Sequence, residues 1–181
     1  MAIRAVFIDR DGTLSDQYHI ATPQEFVALP GIVEDIARLR ASGIAAYLFT
    51  NQSCIARGLD GGYDFPAAFA ALGVDGYYLC PHDQHDNCDC RKPAPGLLRR
   101  ALAEHTLCAD ECAVIGDRWS DMAAGGSMGM HLVLVRTGRG NEALTQDRGK
   151  WGDYSPDLVE ENFHAAVEAI LQLNLSAAWG I

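Results

Sequence analysis

The chain has 181 residues, is 49% apolar and 21% charged, and carries a net charge of −10. That length suits one domain spanning residues 1–181 with a sizeable core, and the composition is that of an ordinary soluble globule. The acidic balance argues against a nucleic-acid partner, which asks for a basic face, but not against phosphorylated substrates held by a metal and a few local cations. No apolar run approaches a membrane span, and MAIRAVFIDRD lacks the apolar segment and cleavage site of an export signal. The expectation is a cytoplasmic monomer with no membrane partner.

In chain order, Ala5–Ile8 reads as a buried strand, Gly31–Ser42 as a helix with Ile32, Ile36 and Leu39 on one face, and Ala45–Phe49 as a second strand. Phe65–Leu72 is a predicted helix, Gly76–Leu79 a strand, and Pro95–Glu104 a helix opened by proline. Cys112–Ile115 is a fourth strand, Ser120–Met128 a helix capped by Ser120, and Leu132–Val135 a fifth strand. YSPDLVEEN reads as a loop leading into a last amphipathic helix, Asn162–Leu173, capped by Asn162. Alternating strands and helices predict an α/β fold, a Rossmann-like parallel sheet with helices on both faces.

Ligands of such sheets sit beyond the carboxyl ends of the strands. The residues there are Asp9 and Asp11 after the first strand, Thr50 and Asn51 after the second, and Gly116 and Asp117 after the fourth, with Lys92 in a loop able to join them. Two carboxylates one residue apart disfavour each other's ionisation. A division of labour resolves this. Asp9 would attack phosphorus and form an acyl phosphate; Asp11 would give a proton to the leaving alcohol and then activate water. Gly12 lets the turn bend and brings backbone N–H groups near phosphate oxygens. Mg²⁺ held by Asp9, the Asp11 carbonyl and Asp117 would relieve the repulsion between nucleophile and phosphate, while Lys92 and Thr50 hold the equatorial oxygens. The bland reading of each piece is a solvated turn or a helix cap.

The set DRDGT, TNQS, RKP and GDRWSD, in this order, resembles the haloacid dehalogenase superfamily of phosphatases. The resemblance implies this mechanism on a Rossmann-like sheet with Mg²⁺, and makes Asp121 an acid standing behind Asp117.

Six cysteines are present, three of them in CPHDQHDNCDCRKP. Cys80, His82, Cys88 and Cys90 make a closed tetrahedral set for a structural Zn²⁺ within a loop at 80–90, with His85 competing with His82. The alternative is a set of free thiols. The metal would position Arg91 and Lys92, which follow directly. Cys108 and Cys112 lack a second pair and read as buried thiols.

A cysteine–histidine loop running into CRKP, together with TNQSCIARG, is similar to the heptose bisphosphate phosphatases and to their relatives the histidinol-phosphate phosphatases. Carried over by motif, Thr50 and Lys92 steady the phosphoryl group, Arg91 recognises substrate, Arg118 touches a distal phosphate, and Asn51, Gln52 and Ser53 are further substrate contacts. The resemblance implies a sugar bisphosphate as substrate. Cys54 stands where glycine is usual, residues 57–79 are shorter than in the heptose group, and the Ser15–Thr22 loop departs from its usual substrate loop. No stretch between motifs is long enough for a large cap domain, so an open site is expected. Histidinol phosphate is the alternative substrate, and a non-catalytic zinc-stabilised binding module the alternative class.

Overall fold

The structure, a computed structural model, describes residues 2–17 and 19–179. Tyr18, within the Ser15–Thr22 loop, Met1, Gly180 and Ile181 lie outside the described residues, as do the side chains of residues 176–179, including that of Trp179. Six strands form one parallel sheet: β1 (Ala5–Ile8), β2 (Ala45–Asn51), β3 (Gly76–Cys80), β4 (Cys112–Gly116), β5 (His131–Val135) and β6 (Leu158–Glu160), in the order β3-β2-β1-β4-β5-β6. The helices are α1 (Ile32–Ala41), α2 (Phe65–Ala71), α3 (Gly96–His105), α4 (Trp119–Met128), α5 (Gly140–Leu144) and α6 (Phe163–Trp179).

Side chains alternate across the sheet with a period of two. Val6, Ile8, Ala46, Leu48, Ala113, Ile115, Val133 and Val135 share one core with α1, α2 and α6. Ala5, Phe7, Tyr47, Phe49, Cys112, Val114, Leu132 and Leu134 share the other with α3, α4 and α5. Both faces of the central strands are therefore dry, which is why β1 and β4 read as unbroken apolar runs. Each fully buried Ile, Leu or Phe in these layers contributes roughly 1.5–3 kcal/mol.

The expected elements are present, with four corrections. Thr50 and Asn51 end β2 and do not follow it: they pair with Leu79 and Cys80 of β3. YSPDLVEEN contains β6, an edge strand of three residues, LVE, too short to show an alternating pattern. Helix α4 is capped by Arg118 and Asp121, not by Ser120, because the Asp121 carboxylate accepts the Arg118 N–H at 2.9 Å. Cys112 is buried, but Cys108 is exposed. Asn162 does cap α6, accepting the Ala165 N–H at 3.0 Å. Among the described residues no helix is long and apolar enough to cross a membrane.

The strand order places the site. From β1 the chain builds outward through β2 and β3, then returns to the other side of β1 and builds outward through β4, β5 and β6. The crevice of a doubly wound sheet lies where that direction reverses, here between the carboxyl ends of β1 and β4. Asp9 and Asp117 stand at those two ends.

Candidate active site

Asp9 leaves β1 still tied to β4, its N–H donating to the Ile115 carbonyl at 2.9 Å. The chain then folds into a turn closed by Leu14 N–H to the Arg10 carbonyl at 2.9 Å. Gly12 adopts φ +92°, and a Cβ there would run into the Asp117 carboxylate. Only glycine lets this turn lie against Asp117.

Asp9, Asp117 and Asp121 each offer a carboxylate oxygen within 4.8 Å of the others, and all three are buried. Lys92 reaches them from a segment 83 residues after Asp9. Its ammonium lies 2.6 Å from Asp9 Oδ1 and 2.6 Å from Asp121 Oδ1 and donates to the Phe49 carbonyl at 2.8 Å; the residue is 5% exposed. Burial opposes its charge, but Asp121 and Asp9 outweigh burial and raise its pKa above the ordinary lysine value. Asp117 accepts the Thr13 hydroxyl at 3.3 Å and the Arg139 N–H at 2.8 Å. Burial, then repulsion from Asp9 and Asp121, pushes its pKa well above the usual carboxylate range. Burial and Asp9 do the same to Asp121, raising it to about 6 against the pull of Lys92. Hard oxygen donors crowded in this way fit a divalent cation such as Mg²⁺, whose charge would relieve the repulsion.

The Asp11 side chain stands apart from that cluster. Arg10 Nε donates to its Oδ1 at 2.5 Å and Gln52 Nε2 to its Oδ2 at 3.0 Å. The same Gln52 amide donates to the Thr50 hydroxyl at 2.8 Å, so Gln52 links Asp11 to Thr50. The Asn51 side chain accepts the Lys92 N–H at 3.1 Å and donates to the Lys92 carbonyl at 3.3 Å. Arg91 donates to Ser53 Oγ at 2.6 Å and to the His82 carbonyl at 3.2 Å. Arg118 is half-buried at the start of α4. Thr13, the Arg139 N–H, and Arg10 as a partner of Asp11 escaped sequence reasoning; their types carry no signal apart from position in the turn.

These groups open onto a cleft of ≈ 710 Å³ lined by Asp9, Asp11, Asn51, Gln52, Ser53, Arg91, Lys92 and Arg118, with His19 and Trp119 also on its walls. Arg57 and Asp83 form an ion pair on the rim at 2.5 Å.

Beside the cleft, Cys80, His82, Cys88 and Cys90 converge. Their sulfur and Nδ1 atoms are spaced 3.6 Å (Cys80–His82), 3.7 Å (Cys80–Cys88), 3.1 Å (His82–Cys90), 3.3 Å (Cys80–Cys90) and 3.4 Å (Cys88–Cys90). A tetrahedral zinc with bonds of about 2.0–2.3 Å has ligand–ligand edges of roughly 3.5–3.8 Å. Two of the five spacings match those edges and the other three are shorter by a few tenths of an ångström, so the cluster could hold such an ion with a small outward shift of its ligands. His85 lies outside it, exposed and against Gln84.

A family model described as HAD-hydrolase-like matches residues 89–166. The D-glycero-beta-D-manno-heptose-1,7-bisphosphate 7-phosphatase of Pasteurella multocida is 36% identical over 175 residues, covering 87% of this chain and 94% of that protein. The enzyme of the same name from Bordetella bronchiseptica is 34% identical over 94% of this chain and 99% of its own. The crystal structure of D,D-heptose 1,7-bisphosphate phosphatase from B. bronchiseptica, complexed with magnesium and phosphate, superposes with a TM-score of 0.81 at 32% identity, covering 94% of this chain and 99% of that one. A heptose bisphosphate phosphatase from Burkholderia thailandensis gives 0.65 at 27% identity, over 93% and 98% of the two chains. With such likeness over nearly the whole of both chains, this chain belongs to the family of the D-glycero-beta-D-manno-heptose-1,7-bisphosphate 7-phosphatases, among the haloacid dehalogenase-like hydrolases.

Proposed function

We propose that the chain is a Mg²⁺-dependent phosphomonoester hydrolase that removes the 7-phosphate of D-glycero-D-manno-heptose 1,7-bisphosphate through a phosphoaspartyl intermediate. The observation that carries this reading is the buried cluster of Asp9, Lys92, Asp117 and Asp121 at the β1/β4 crevice, opening onto a cleft with Asp11 on its wall.

Asp9 attacks the phosphorus; the bond from phosphorus to the sugar oxygen breaks, and Asp11 supplies the proton that the leaving alkoxide takes. Asp11, now a carboxylate, accepts a proton from water as that water attacks the phosphoryl group. Inorganic phosphate leaves and the Asp9 carboxylate is restored. Asp9, the Asp11 carbonyl and Asp117 would hold Mg²⁺, which supplies charge neutralisation between two anions. Asp121 is already engaged by Lys92 and by the Arg118 N–H, which suits a group behind the ligands. Lys92, on the cleft wall, would offset the negative charge of the transferred group, and the Thr50 hydroxyl would donate a hydrogen bond to it.

Arg91 and Arg118 bring further positive charge to the cleft, as a substrate with a second phosphate requires. Gln52, Asn51 and Ser53 line the same wall, but in this structure they chiefly hold Asp11, Lys92 and Arg91 in place. Cys80, His82, Cys88 and Cys90 would bind a structural Zn²⁺ that shapes the 80–90 loop; a reduced thiol cluster suits the cytoplasm.

The test is phosphate release from both heptose 1,7-bisphosphate anomers, histidinol phosphate and simple phosphate esters, with Mg²⁺ and with EDTA. Fast Mg²⁺-dependent turnover of one heptose anomer is the expected result. Preference for histidinol phosphate would keep the chemistry and replace the substrate. Inactivity on all of them, in folded zinc-loaded protein, would overturn the enzymatic reading.

A further inference from the structure

Arg10 is an expensive residue for its place. It is 1% exposed, and its guanidinium lies 4.6 Å over the Phe26 ring. Of its guanidinium nitrogens, only Nε has a hydrogen-bond partner among the described residues, and that partner is Asp11. Nη1 and Nη2 are buried without one. Burying a charge with most of its donors unpaired is strongly unfavourable, and replacing such a residue by an apolar one of similar volume is often neutral or stabilising. Arg10 therefore contributes little to folding. What it does is grip the carboxylate that the proposed mechanism uses twice.

The grip has a definite geometry. Arg10 Nε takes Asp11 Oδ1 at 2.5 Å, and Gln52 Nε2 takes Oδ2 at 3.0 Å. One donor on each oxygen fixes both the rotamer and the plane of the carboxyl group. Each oxygen keeps a second lone-pair site for the travelling proton. Arg10 cannot wander, because Phe26 packs on its face, and Gln52 is itself buried and tied to Thr50. Asp11 keeps 21% of its side chain exposed, toward the cleft.

We infer that Arg10 is a positioning residue for proton transfer: with Gln52 it clamps the Asp11 carboxyl at the point where the leaving oxygen arrives and where water later attacks. The inference rests on the assignment of Asp11 as acid and base. Arg10 does not line the cleft and acts only through Asp11.

The experiment uses the full Mg²⁺-loaded chain and compares wild type with Arg10→Met, Asp11→Asn and the double variant. Single-turnover phosphorylation of Asp9 is followed by rapid quench with an alkyl phosphate, whose leaving group needs a proton, and with p-nitrophenyl phosphate, whose leaving group does not. Arg10→Met is expected to slow the alkyl ester by roughly 10- to 100-fold, a share of the ~10²–10⁴ that acid–base catalysis supplies, and the aryl ester by less than about threefold. Its melting temperature should be unchanged or higher, since Asp11 stays hydrated from the cleft. The double variant should be no slower than Asp11→Asn, because residues acting through one group are not additive.

Equal slowing of both esters, or losses that multiply in the double variant, would overturn the inference and leave the function intact. If Asp11→Asn itself fails to distinguish the two esters, the acid–base assignment falls as well. Should Arg10→Met not fold, Arg10→Lys, which keeps the charge but loses the Nε geometry, decides by the same two esters: selective slowing of the alkyl ester supports the clamp, and equal slowing or none overturns it.

Discussion

The Asn51 side chain makes both of its hydrogen bonds to the main chain of Lys92, accepting the N–H at 3.1 Å and donating to the carbonyl at 3.3 Å. Asn51 is the last residue of β2, so this pair ties the end of the cysteine-rich loop to the sheet at the point where Lys92 must reach Asp9. Asn51→Ala removes both bonds. Each contributes only about 1 kcal/mol to stability, so the melting temperature should fall by a few degrees. Misplacing a catalytic group by about 1 Å is far more damaging, and turnover should fall at least roughly tenfold. Steady-state phosphate release and thermal melts check this; a stability loss with full turnover would refute the tether.

The nucleophile assignment has a sharper test. Asp9→Asn keeps size and burial and leaves Lys92 paired with Asp121. The fold should survive, while turnover falls by more than about a thousandfold and no acid-stable phosphoenzyme forms with labelled substrate. Retention of most activity would remove Asp9 from that role.

The cysteine–histidine cluster should carry about one zinc per chain, measurable by metal analysis of the purified protein. Cys88→Ser leaves three soft ligands and should lower zinc content and melting temperature together. Activity should fall too, because Arg91 and Lys92 follow Cys90 directly. Unchanged zinc and unchanged melting would contradict a structural site.

Removal of Mg²⁺ should matter more at neutral than at acid pH. Asp121 has a pKa of about 6 in the metal-free fold against 3.8 for an ordinary aspartate, and Asp117 is also raised. The folded state thus holds these protons to higher pH than the unfolded chain does. Their contribution to stability is fully present below the unfolded value and is lost as pH rises through the folded value. Mg²⁺ needs the ionised carboxylates and relieves their repulsion. The rise in melting temperature on adding Mg²⁺ is therefore expected to be small at about pH 4.5 and several times larger at about pH 7.5. A shift independent of pH would argue that no cation binds between Asp9 and Asp117.

Gly12→Ala joins backbone strain to collision. Its φ of +92° disfavours any side chain, and a Cβ would displace the Asp117 carboxylate. Loss of Mg²⁺ affinity together with turnover is expected, read by titrating activity with Mg²⁺. An unchanged Mg²⁺ dependence would show that the turn yields without moving Asp117.

Much of this protein was decided in one dimension. Strands such as VFI at Val6–Ile8 and AVI at Ala113–Ile115 are apolar on both faces, so the run marks a buried parallel strand wherever it sits. The polar residues that end such runs, Asp9, Asp11, Thr50 and Asp117, are displaced to one edge by the topology itself, so the motif order already brought the candidate site together. The cysteine spacing likewise announced a ligand cluster. Tertiary structure alone decided what these groups do to one another. Choosing His82 over His85 depends on how the loop closes, not on spacing. The strand β6 forms because an edge of the sheet awaits it, since LVE has too few residues to declare itself. Gln52 and Asn51, which line the cleft, also hold Asp11 and Lys92, a role the sequence does not announce because hydrogen-bond partners 41 residues away are set by packing. Arg10, anonymous between two aspartates, acquires its partner only when Phe26 seals it against the turn. Local chemistry is written in residue type and order; which donor meets which acceptor is set by the distances that only the folded chain creates.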